Sequence, residues 1–104
     1  LKAEDLQQLK KAASTYQVPD VSVMGESGVV KLVARDKKND TSNDFEIVVG
    51  ETDDEFVFNF KEENLKIVPG NYDVTVSSKL LSKFTHQTID VVYYIALEPD
   101  STFG

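Results

Sequence analysis

A chain of 104 residues supports one core, and its 40% hydrophobic and 28% charged content, with five Gly and three Pro, excludes disorder and collagen-like structure. The lack of cysteine excludes disulfide frameworks, thiolate zinc sites and cysteine nucleophiles, and no apolar run approaches the ~18 residues of a membrane span. Eleven basic residues against eighteen acidic ones give a net charge of −7, which taken alone argues against affinity for a polyanion.

Leu6, Leu9, Ala13 and Tyr16 recur at helical spacing and predict a helix from Ala3 to Tyr16, ended by Val18-Pro19. Gln7, Gln8, Lys11, Ser14 and Thr15 fall on the opposite face, with Lys10 on a flank. The charge divides unevenly along the chain. Residues 1–19 hold three lysines and two acids, a balance of +1, whereas residues 20–104 hold eight cations and sixteen acids, a balance of −8. Both helix acids, Glu4 and Asp5, lie in the first turn, where the dipole favours them. From Leu6 to Pro19 there is no acid. Lysines in such numbers are, on their own, the solvated face of a surface helix.

Beyond Pro19 the hydrophobic period becomes two. Val21 and Val23 begin a strand, Gly25 to Gly28 predicts a turn, and Val30, Leu32 and Ala34 point opposite to Lys31 and Arg35. Asp36 to Asp44 contains no apolar residue and reads as an exposed loop. Phe45, Ile47 and Val49 form the next strand face, followed by the acidic turn at 50–55. Phe56, Phe58 and Phe60 then place aromatics on a single strand face. Lys61 to Leu65 predicts one or two helical turns, and Pro69-Gly70-Asn71 a turn before Tyr72, Val74 and Val76. Ser77 to Ser82 reads as a loop, Phe84 to Thr88 as a short strand, and Ile89 to Leu97 as a long closing strand. The last residues, EPDSTFG, read as too polar to pair. One long helix and about seven strands without crossover helices make an α+β class with antiparallel connections.

No catalytic constellation emerges. His86 is the single histidine, which excludes a histidine metal pair, and in KFTHQT it reads as exposed or half-exposed. Asp53-Asp54-Glu55 reads as a solvated turn, and the loop from Asp36 lacks the glycine and glutamate of a calcium site. Asn39-Asp40-Thr41 fits a glycosylation acceptor without a context to support it. The expectation is therefore no catalytic residue, no metal and no cofactor.

Three blocks, LKAEDLQQL, LKIVPGNYDV and VVYYIALEPDST, occur in order across the chain. Together they resemble the C-terminal domain of the DNA polymerase sliding clamp of T-even-type phages. The resemblance implies the DNA-clamp (processivity) fold, with curved antiparallel sheets, one long helix and one short one. It also implies a processivity factor whose subunits close head to tail as a homotrimer around duplex DNA without reading sequence. Its partners would be the replicative DNA polymerase, a clamp loader and other clamp subunits, in the cytoplasm of the infected bacterial host, with a role in late transcription. On this reading Gln7, Lys10, Lys11 and Ser14 would face DNA, joined by Lys66. Tyr94, Ala96, Leu97 and Pro99 would border the pocket for the partner peptide. Alternation puts Tyr93 and Tyr94 on opposite strand faces, and the alternative is that both help pack the sheet and a loop.

The expected organisation is a single domain, residues 1–104, lacking an N-terminal domain and forming a monomer or an edge-paired dimer. Two rivals remain at this level: a protein-interaction or structural module of a phage particle, and an enzyme domain completed by a partner. A helix lying across the concave side of a curved antiparallel sheet distinguishes the clamp from the first.

Overall fold

The computed structural model describes residues 1–36 and 45–103. Most of the polar stretch from Asp36 to Asp44, with its Asn39 acceptor, lies outside the described residues. Helix α1 (Ala3–Tyr16) is followed by strands β1 (Asp20–Glu26), β2 (Val29–Arg35), β3 (Phe45–Glu51) and β4 (Phe56–Lys61). A single 3-10 segment (Glu62–Leu65) then leads to β5 (Tyr72–Ser77), β6 (Leu81–His86) and β7 (Val92–Ala96). The strands form two antiparallel sheets, ordered β3-β2-β1-β4 and β5-β6-β7.

The register explains how one core serves all of these elements. Val21 pairs with Ala34 and Phe60, and Val23 with Leu32 and Phe58, so their side chains share a face of the first sheet. Leu6, Leu9, Ala12 and Ala13 of α1 bury themselves in the same cluster, and the helix packs against β1, β2 and β3. Tyr72, Phe84, Ile95 and Leu97 bring the second sheet into that cluster. Phe60 and Phe84 meet edge to face at 6.1 Å, joining the sheets. Each such buried phenyl ring contributes ~1.5–3 kcal/mol of transfer free energy.

The helix has no side-chain cap on its own first residue. Instead Ala3 N–H donates to Asn71 Oδ1 at 2.7 Å, so the turn before β5 satisfies an open helix donor. At the other end Gln17 takes a left-handed conformation (φ 56°), and Val18 N–H donates to the Ala13 carbonyl. Leu1 and Tyr72 exchange both backbone hydrogen bonds at 2.9 Å, which seats the entry to the helix on the outer edge of β5.

Several expectations change. Tyr16, on the apolar stripe by spacing, is 54% exposed, and Ala12 takes its place in the core. The turn expected over Gly25 to Gly28 is only Ser27-Gly28, both at positive φ (54° and 87°), as a two-residue hairpin of this twist requires. Strand β6 starts at Leu81, inside the stretch expected as a loop, and ends at His86. Strand β7 is shorter than expected, because Gln87 to Asp90 bend around the His86 ring.

His86 itself is buried, not exposed. Its Nδ1 accepts from the Thr88 and Ile89 N–H groups at 3.1 and 3.2 Å, so Nε2 carries the proton and donates to the Pro69 carbonyl at 3.0 Å. The closing segment also departs from expectation. Thr102 pairs with Val57 and Phe103 lies on Phe58, so polarity did not prevent pairing.

Candidate nucleic-acid interface and partner surface

At about 100° per residue, Gln7, Lys11 and Ser14 fall within a sector of roughly 60° on α1. All three are exposed, on the side away from Leu6, Leu9 and Ala13. Lys10 lies half-buried on the flank. Among the described residues, no carboxylate forms an ion pair with Lys10 or Lys11. The basic groups that do form ion pairs sit elsewhere. Lys31 bridges Glu26 and Glu46, and Lys61 bridges the fully buried Asp20 and Glu98. Hydrogen bonds to those carboxylates hold both ammonium groups above their ordinary pKa, Glu26 leading for Lys31 and Asp20 for Lys61. Lys10 and Lys11 are thus without an ion pair among the described residues, as are the exposed Lys2, Lys66, Lys79 and Lys83, whereas Lys31 and Lys61 are committed.

Lys66 follows the 3-10 segment, exposed between the buried Leu65 and Ile67. No hydrogen bond or ion pair among the described residues joins it to α1. The structure therefore brings Gln7, Lys11 and Ser14 together, sets Lys10 beside them, and places Lys66 on a separate segment.

The four residues of the expected peptide pocket divide in the same manner. Tyr94 (65% exposed) and Ala96 alternate outward on β7, opposite Lys83 and Leu81 of β6. Leu97 points into the core at 4% exposure and donates its N–H to the Leu80 carbonyl, and Pro99 lies on the segment leaving the sheet. Tyr93, on the opposite face from Tyr94, packs against the core beside Tyr72 at 6.2 Å. Tyr94 borders a shallow 200 Å³ depression with Thr75, Val76, Leu81, Ser82 and Lys83. Ala96, Leu97 and Pro99 do not line it. Sequence reading missed Leu81 and Lys83 because their strand begins in a serine-rich stretch. Only the cross-strand register identifies them.

Among the described residues no group of three or more His, Cys, Asp or Glu is placed to hold a metal ion. Asp53, Asp54 and Glu55 are exposed in the turn between β3 and β4.

Comparison with known proteins follows the fold. Residues 1–99 match the family model for the gp45 sliding clamp, C terminal. The chain is 40% identical over 102 residues to the sliding clamp of Vibrio phage KVP40, covering 94% of this chain and 45% of that protein. It is 33% identical over 110 residues to the sliding clamp of Escherichia phage RB69 and 32% to that of Enterobacteria phage T4, each match covering 98% of this chain and 47% of the relative. The chain thus spans about half the length of the curated relatives it matches. It belongs to the gp45 sliding clamp family, in which it corresponds to the C-terminal domain.

Proposed function

We propose that this domain forms part of a DNA polymerase processivity factor, holding duplex DNA without sequence specificity and tethering the replicative polymerase. The observation that carries the reading is the exposed face of α1 with Gln7, Lys11 and Ser14, flanked by Lys10 and bearing no acid after the first turn, on a chain whose residues 20–104 sum to −8. A clamp must attract phosphates weakly and at long range while making no base contact, and unpaired lysines on a rigid helix meet that need. An acidic body elsewhere disfavours DNA on the other surfaces. Lys66 joins the DNA-facing set in this reading.

A body of 38 × 30 × 24 Å cannot surround a duplex alone, so enclosure requires further domains and further copies. Partners are then duplex DNA, the polymerase, a clamp loader and other clamp subunits, in the cytoplasm of the infected bacterial host. The isolated chain is a monomer or an edge-paired dimer. Support for edge pairing comes from β3, an outer strand with Val48 62% and Val49 37% exposed. The exposed face around Tyr94 and Ala96 is the polymerase-facing surface. No step in this role calls for a catalytic group.

The test is charge reversal of Lys10 and Lys11 in the complete parent protein, loaded on primed DNA. Processivity should fall, and the loss should vary with salt. Unchanged processivity at low salt would remove α1 from the DNA-facing surface.

A further inference from the structure

Residues 98–103 leave β7 and run antiparallel to β4 along its outer edge. Thr102 donates to the Val57 carbonyl at 2.7 Å and Val57 N–H donates back at 3.1 Å. Upstream, Glu98 N–H donates to the Asn59 carbonyl at 2.7 Å, and Asn59 N–H donates to Ser101 Oγ at 2.9 Å. Beyond Thr102 the Phe103 ring lies 5.2 Å from Phe58, which stacks on Phe56 at 4.5 Å. Phe103 stays 41% exposed. The distal part, residues 101–103, is therefore held by a single backbone pair, one hydroxyl and one ring.

Past Thr102 the same edge opens into a groove of 340 Å³ lined by Met24, Glu26, Glu55, Phe56, Val57 and Thr102. Its floor is largely apolar and its rim is acidic. Glu26 is engaged by Lys31, whereas Glu55 forms no ion pair among the described residues. Asp53 and Asp54 stand exposed in the adjoining turn. This rim complements a cation.

We propose that the outer edge of β4 is a docking edge for an extended partner peptide bearing an aromatic side chain followed by a basic one, and that residues 101–103 are the internal occupant it displaces. Hydrogen bonding is nearly balanced in the exchange, because an incoming strand remakes the bonds to Val57 and Asn59 that the segment gives up. Side chains then decide the outcome. The peptide's ring replaces Phe103 against Phe56 and Phe58, and its basic residue reaches Glu55 at the groove, a contact that the internal segment up to Phe103 does not make. Asn59 Nδ2 donates to Asp100 Oδ1 at 3.1 Å and Lys61 lies 3.6 Å from Glu98. Those contacts keep the proximal part in place while the distal part moves. The inference rests on neither the DNA-facing assignment nor the surface around Tyr94.

The probe is a fluorescein-labelled synthetic peptide, Ser-Thr-Phe-Lys-Lys, titrated into the 104-residue chain and read by anisotropy. Phe103→Ala, whose own ring no longer competes, is expected to bind the probe roughly fivefold more tightly, as befits one aromatic contact. Glu55→Lys, on an exposed turn, is expected to weaken the probe roughly fivefold and to leave a Ser-Thr-Phe-Ala-Ala version unaffected. Binding should also shift the Val57 and Asn59 amide resonances. Equal or weaker binding by Phe103→Ala, or none at all, overturns the displacement. Binding indifferent to Glu55→Lys overturns the assignment of the basic residue to the groove.

Discussion

Asn59 ties β1, β2, β4 and the closing segment together, and its removal should be felt well beyond one contact. Its side chain is 2% exposed. Oδ1 accepts from Ser22 Oγ at 2.5 Å and from Arg35 Nη2 at 3.1 Å, while Nδ2 donates to Asp100. Ser22 is fully buried, so its hydroxyl has no water to turn to when Asn59 is gone. A lost bond is worth roughly 1 kcal/mol and a stranded buried group costs roughly 1–3 kcal/mol, so Asn59→Ala should cost about 3 kcal/mol. Ser22→Ala should cost only about 1 kcal/mol, because Oδ1 keeps its bond from Arg35. The double variant no longer strands the hydroxyl and should be more stable than the sum of the singles by about 1 kcal/mol. Urea unfolding with an unchanged m-value measures all three, and in a domain of this size each kcal/mol moves the melting temperature by about 4–8 °C. Costs that add to within about 0.3 kcal/mol would refute the coupling, and with it the claim that this buried network acts as a unit.

Two further outcomes concern pH and the turn before β5. The Asp20 hydrogen bond holds the Lys61 pKa above 10.5, and burial, followed by the charge of Tyr93, raises the Tyr72 phenol above 10.0. Each folded value exceeds its unfolded one, so the stabilisation is complete below the unfolded pKa and lost as pH rises through the folded value. Urea midpoints should hold steady from neutrality and fall in the alkaline range, and Tyr72→Phe should make that fall shallower; a slope unchanged by Tyr72→Phe would contradict the assignment. Gly70 sits at φ 152° with the His86 ring packed where a side chain would begin. Gly70→Ala should cost roughly 2 kcal/mol, and an unmoved unfolding midpoint would show that His86 does not brace this turn.

The helix was legible because its signals agree: the apolar period, the early acids and the Val18-Pro19 stop all mark the bounds Ala3–Tyr16. The antiparallel α+β class was legible for a similar reason, from period-two runs without crossover helices. Sequence pattern failed wherever a partner decided the outcome. Leu81 pairs with Ala96 across the sheet, and nothing in a serine-rich stretch announces that pairing. Ile89 and Val91 continue the alternation of β7, yet the His86 ring captures the Thr88 and Ile89 amides and bends the chain away. The closing segment is polar, but Asn59 and Val57 offer it a free strand edge. At the candidate sites, the helix face followed directly from the period. The surface around Tyr94 did not, since half of it comes from β6.

Net charge is the wrong variable for judging the proposed approach of this chain to DNA. The total of −7 sums groups spread over a body 24 Å across in its thinnest direction. At physiological salt, charges are screened over about 8 Å, so acids on the far side of such a body scarcely reach the α1 surface. What a phosphate near α1 meets from the helix itself is Lys10 and Lys11, neutral polar side chains, and the two first-turn acids Glu4 and Asp5. The lysines on the opposite face of the first sheet, Lys31 and Lys61, are each occupied by two carboxylates. Pairing therefore does more than stabilise the sheet. It takes Lys31 and Lys61 out of competition with Lys10 and Lys11 for an outside anion, and so supports the DNA-facing role proposed for α1.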